Sequence, residues 1–171
     1  PVFDFANAVL PSGLAWDTDD FTTSGVIKVV STATAGYATW AGTNAPTGTA
    51  TDDFDNDGVS NGVEYVLGGD KDTNDIAKLP AVSSDGTDMT FTFIRKQSSI
   101  GADLALGIEV GTTLATWPDF HAVPDAAATN NPGVTVVDNL DGTDTITLTL
   151  PHGTTPEMFA RLKVIITPPA P

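Results

Sequence analysis

The stretch DFDNDGVSNGVE, residues 53–64, constrains this chain more than any other. Oxygen-bearing side chains recur at its first, third, fifth, ninth and twelfth places, as Asp53, Asp55, Asp57, Asn61 and Glu64, and Gly58 holds the sixth. Carboxylates this close repel one another unless a cation sits among them. A hard divalent ion the size of calcium takes about six to eight oxygens, and a single segment supplies them only by curling around it. Alternate side chains then point inward, the seventh residue, Val59, offers its backbone carbonyl, and the twelfth closes the shell with two oxygens. The sixth must make a sharp turn, which glycine adopts most readily. Asp, Asn and Gly also build ordinary surface turns, but scatter rarely puts all of them at these offsets. The predicted ligand set is Asp53, Asp55, Asp57, Val59, Asn61 and Glu64, and the predicted cofactor is Ca2+.

The flanks of the loop differ from each other. Val59, Val63, Val66 and Leu67 share one helical face on the exit side, and Gly68-Gly69 ends the run. On the entering side, Ala45-Pro46-Thr47-Gly48-Thr49-Ala50-Thr51 cannot sustain a helix. Loops of this type resemble those of EF-hands, dockerins and thrombospondin type 3 repeats. With only one helix, a fixed structural ion is expected rather than a groove-opening switch. Asp52 is expected to add field rather than a bond. Asp70, Asp72, Asn74 and Asp75 lack a sixth-place glycine and a closing glutamate, so a solvated acidic turn is expected there in preference to a second ion site or to outer-shell oxygens for the first.

Composition narrows the setting. The chain carries a net charge of −15, and its seven Lys and Arg residues never cluster, which argues against nucleic acid and anionic membrane surfaces as partners. Cysteine is absent, so an ion is a plausible staple in place of a disulfide. No apolar run approaches the ~18 residues of a membrane helix, and no membrane insertion is expected. With no signal peptide and a start at Pro1 rather than Met, the chain is expected to be a processed protein or a piece of a longer one.

Most of the remainder alternates as strands do. Residues 1–31 read as a β segment, with Leu14 and Trp16 before a polar turn and Val26, Ile27, Val29 and Val30 after it. Residues 32–78 read as a connector carrying the ion loop and its helix, with Tyr37, Trp40 and Ala41 on one short helical turn. From residue 79 to 171, alternation over Met89, Phe91 and Phe93 and over Leu104, Leu106, Ile108 and Val110 predicts strands. Val134–Val137 and Thr145–Leu150 flank Asp141-Gly142, a hairpin signal, and Phe159, Leu162, Val164 and Ile166 give a last strand. The predicted class is mainly β, an antiparallel sandwich of immunoglobulin-like or jelly-roll-like type.

Two further resemblances rest on these phrases. LPSGLAWDTDDFTTSGVIKVV resembles the closing unit of autotransporter-associated β-strand repeat proteins. The ordered series of the acidic loop, Thr90 to Arg95, Ile108 to Trp117, Asp138 to Leu148 and Phe159 to Val164 resembles a C-terminal β-rich module of large secreted proteins of planctomycete-like or verrucomicrobia-like bacteria. What these imply is an extracellular or cell-surface accessory module, without a chemistry.

No catalytic set is legible. His121 and His152 sit in turn-like settings and are expected at the surface, and Glu109 and Glu157 have no spacing that joins them. No nucleophile elbow, zinc pair or phosphate loop occurs. Trp117 and Phe120 form the weak alternative, an aromatic platform for glycans. The expectation is a non-catalytic, calcium-stabilised structural or adhesion module of a secreted bacterial protein. Its partners would be other domains of a longer surface protein, or copies of itself if residues 1–31 complete a neighbour's sheet in a fibre. Because the ligands must be ionised, ion binding is expected to weaken as pH falls toward roughly 4.

Overall fold

The computed structural model describes residues 14–18, 21–31, 36–44, 49–70, 72–129, 133–153 and 157–167. An N-terminal hairpin pairs β1 (Leu14–Asp17) with β2 (Lys28–Ser31), with a single helical turn, α1 (Phe21–Ser24), between them. Two helices follow, α2 (Gly36–Asn44) and α3 (Asn61–Leu67), with the acidic loop leading into the second. The chain then becomes all strand: β3 (Ala81–Ser84), β4 (Asp88–Lys96), β5 (Leu104–Gly111), β6 (Asp119–Ala122), β7 (Ala128–Thr129), β8 (Val134–Asp138), β9 (Thr143–Pro151) and β10 (Phe159–Ile166).

These strands make two antiparallel sheets packed together, as the alternation predicts. One runs β3-β4-β9-β8-β7 and the other β10-β5-β6. The chain changes sheet after β4, after β6 and after β9, so each sheet is closed by pairings between distant segments. In β4, residues Met89, Phe91 and Phe93 are buried while Thr90 and Thr92 between them are only partly covered. Ile146 and Leu148 of β9, Val134 and Val136 of β8, and Leu106, Ile108 and Val110 of β5 complete one continuous core. Fully burying such side chains contributes about 1.5–3 kcal/mol each, so this core is the main source of the fold's stability.

Turn chemistry fixes the registers. Between β3 and β4, Gly86 takes φ 87° and Asp85 accepts hydrogen bonds from the Thr87 and Asp88 amides. Between β8 and β9 the connection is four residues, Asn139–Gly142, rather than Asp141-Gly142 alone. Asp138 accepts from the Leu140 amide, Asp141 accepts from the Thr143 amide, and both Leu140 (φ 61°) and Gly142 (φ 85°) are left-handed. Leu140 is 90% exposed, so no burial offsets that backbone, and its side chain has no evident role here.

Helix α3 packs on β4 and β10 and against α2. Tyr65 of α3 meets Tyr37 and Trp40 of α2, with ring centroids 5.6 and 5.7 Å away. The single turn expected around Tyr37 is instead a nine-residue helix. The carboxylate of Asp103, which precedes β5, accepts the Tyr37 amide at 3.3 Å and supplies this helix's first turn with a partner. Gly36 is required by contact: a Cβ there would lie 2.2 Å from the Tyr65 hydroxyl oxygen. Residues 1–13, 32–35 and 45–48 of the predicted β segment and connector lie outside the described residues. No helix among the described residues is long and apolar enough to cross a membrane.

Candidate metal centre

The acidic loop curls as its spacing requires. Gly58 adopts φ 94° and Asn56 φ 63°, two left-handed residues that turn the backbone around the site. Nothing lies within 4 Å of where a Gly58 Cβ would stand, so glycine is needed there for its dihedral and not for space. Asn56 tolerates the same region better than most residues. The carboxylates of Asp53, Asp55 and Asp57 converge, with one oxygen of each within 4.8 Å of the other two. These three form a cluster that could hold a metal ion.

Backbone amides hold them in place. The Asp57 amide donates to Asp53 Oδ1 at 3.2 Å and Asp55 Oδ1 at 3.1 Å, the Gly58 amide to Asp53 Oδ2 at 2.9 Å, and the Val59 amide to Asp57 Oδ1 at 2.7 Å. Each carboxylate is thus aimed inward by the chain it belongs to. Asp55's carboxyl is raised above the ordinary carboxylate range, by loss of solvent first and by the Asp57 and Asp53 charges after it.

The other predicted ligands are placed differently. Asn61 is fully buried and ties the loop's ends: Oδ1 accepts the Phe54 amide at 3.2 Å and Nδ2 donates to the Thr49 carbonyl at 2.9 Å. Val59 is buried beside the cluster, its amide on Asp57. Glu64, on the first turn of α3, is 1% exposed and stands outside the 4.8 Å cluster. Neither of its oxygens has a hydrogen-bond partner. Burial pushes its carboxyl up to about 7, and the charges of Asp55, Asp57, Asp75 and Asp53 add to that. An ionised carboxylate so placed is costly without a compensating positive charge. Asp52 accepts the Thr49 amide at 2.7 Å.

The segment after α3 departs from expectation. Asp70, Asp72 and Asn74 are exposed, but Asp75 is buried and bonded to the loop, its amide on Asp57 Oδ2 at 2.5 Å. Asp and Asn are frequent throughout this segment, so composition alone could not single it out; only the hydrogen bond from the Asp75 amide to Asp57 does.

Elsewhere, Phe120 pairs with Glu109 across β6 and β5, and Glu109 with Arg161 across β5 and β10, so these three lie in one cross-strand row. The Trp117 ring carries the Arg161 guanidinium 4.3 Å from its centroid, and Arg161 is in turn paired with Glu109 at 2.6 Å. Phe120, 51% exposed, lies over Gly107, where a Cβ would come within 2.3 Å of its ring. His121 is on β6 and buried, contrary to the surface setting expected for it, because alternation along β6 turns it inward while Phe120 faces out. Comparison with known proteins finds no matching family model, no matching curated protein and no matching solved structure, so the reading of this site rests on its own geometry.

Proposed function

We propose that the chain is a non-catalytic module of a secreted or cell-surface bacterial protein, in which a calcium ion held by residues 53–64 fastens the helical connector to the sandwich. The observation that carries this reading is Glu64: a buried carboxylate without a single donor, facing three converged aspartates. Nothing else among the described residues gives that carboxylate a reason to be there, and a divalent ion does. Asp53, Asp55 and Asp57, the Val59 carbonyl and a two-oxygen Glu64 would supply six oxygens, and a water brought in by Asn61's neighbourhood would make seven. That number suits calcium, whereas magnesium prefers a rigid shell of six with several waters. The charge of −15 suits a setting in which calcium is abundant.

Extracellular calcium sites typically bind at ~10⁻⁴–10⁻³ M. With free ion ten- to a hundredfold above that constant the gain is about 1.4–2.7 kcal/mol. This is a closure energy for one junction, small beside the sandwich core. The test is a thermal melt of the chain with chelator, with calcium and with magnesium. Calcium is expected to raise the melting temperature by several degrees and magnesium by much less. A melting temperature indifferent to calcium overturns the proposal.

A further inference from the structure

Resting on that metal-site reading, we infer that Asp75 is a positioning residue for the ion, bracing Asp57 from outside the loop. It lies 18 residues beyond Asp57, yet its amide donates to Asp57 Oδ2 at 2.5 Å. Asp57 is therefore held at both oxygens, by Val59 from within the loop and by Asp75 from beyond the helix. Asp75 can aim its amide because its own side chain is fixed. It is 3% exposed, Oδ2 accepts the Asp70 amide at 2.7 Å, and Oδ1 pairs with Lys78 Nζ at 2.5 Å.

Lys78 also donates to the Gly68 carbonyl at 3.1 Å, at the left-handed cap that ends α3. Gly68, Asp70, Asp75 and Lys78 thus form a closed brace running from the end of the ion-loop helix back to a ligand. Gly69 makes the close approach possible: a Cβ there would lie 2.2 Å from Asp75 Oδ2 and 3.0 Å from the Cβ of Glu64. The brace touches both sides of the site, Asp57 through a hydrogen bond and Glu64 through packing. Asp75 stands outside the three-aspartate cluster and its carboxylate is paired with the Lys78 ammonium, so it acts through Asp57 rather than as a ligand.

A rival account makes Asp75 merely one more negative charge drawing the cation in. The two differ in sign at Lys78. Without the lysine, Asp75's charge is uncompensated, so the field account expects tighter calcium binding, while the brace account expects weaker binding because Asp75 is no longer held. Calcium titration calorimetry on the chain, Lys78→Met, Asp75→Ala and Asp75→Asn decides it, with chelator melts reporting each variant's ion-free stability. Outer residues that orient a ligand typically matter by about 10–100-fold in metal affinity. The expected result is a loss near the lower end of that range for Asp75→Ala, a smaller loss for Asp75→Asn, which keeps an acceptor for the Asp70 amide, and a loss for Lys78→Met. Calcium bound by Asp75→Ala as by the parent, or more tightly by Lys78→Met, overturns the brace and leaves the ion site standing. A parent that takes up no calcium overturns both. Should Asp75→Ala not fold, Lys78→Met still decides, since that side chain is 41% exposed.

Discussion

Glu64 carries two opposite effects, and which one shows depends on the ion. Without calcium its carboxyl is raised to about 7 from an ordinary 4.5, chiefly by burial and then by the Asp55, Asp57, Asp75 and Asp53 charges. Between those two pH values the folded chain keeps a proton that the unfolded chain has released. Stability of the ion-free chain is therefore expected to fall as pH rises from 4.5 to about 7 and to level off above, the reverse of a salt-bridged carboxylate. Glu64→Gln keeps the shape, removes the charge and should abolish that slope. It should raise the ion-free stability at pH 8, where it removes a buried charge that nothing neutralises, while erasing most of the calcium response. Melts across pH in chelator check both; a variant with the parent's pH slope, or with its calcium response intact, refutes the assignment. Ion and proton compete for Glu64, so calcium binding should weaken from near pH 7 downward, well above the window near 4 that ionised ligands alone suggest. Asp53, Asp55 and Asp57 could be singled out from spacing because their convergence is made by the local curl of the loop. The burial of Glu64 could not, since it is made by packing of α3 on β4 and β10.

At the scale of elements, alternation foretold strands wherever one face is covered. It gave β4, β5, β9 and β10 close to their observed bounds, because a buried face enforces an apolar residue at every second place. It did not give β3, β6 or β7, which lie at sheet edges and expose most of their side chains. The same period puts Arg95 on the inward face of β4, after Met89, Phe91 and Phe93, but its partner Asp144 is 49 residues away and only the sheet brings them together. Arg95 is 1% exposed, bonds Asp144 Oδ2 through Nε at 3.0 Å and Nη2 at 2.5 Å, and donates to the Pro124 and Asp125 carbonyls at 2.8 and 2.9 Å. It therefore clasps the five-stranded sheet to the crossing between sheets. Asp144→Ala leaves a buried guanidinium uncompensated and is expected to cost about 3–5 kcal/mol, whereas Arg95→Met with Asp144→Leu should recover most of that loss. Urea unfolding measures both, and an Asp144→Ala midpoint within error of the parent's would show that the pair is solvated and inert.

For the molecule as a whole, stability comes from two sources of different size and reach. The core joins the two sheets through apolar contacts that no ion touches. The junction of α2, the acidic loop and α3 is held by the aromatic trio Tyr37, Trp40 and Tyr65, by Asp103 on the Tyr37 amide, and by whatever balances the loop's carboxylates. Only the last of these responds to calcium. Opening of the junction should therefore be ion-sensitive, and global unfolding shares that sensitivity because it too releases the ion. Amide hydrogen exchange followed by mass spectrometry separates the two. Adding calcium is expected to slow exchange across residues 53–67 by about tenfold to a hundredfold, the equivalent of the closure energy above, while in chelator the β4–β9 ladder stays strongly protected and residues 53–67 do not. If instead the amides of β4 and β9 lose their protection in chelator along with those of α3, the ion supports the entire fold and the division between a self-sufficient sandwich and an ion-dependent junction is wrong. If residues 53–67 do not respond at all, the charge left on that loop is balanced by something other than calcium.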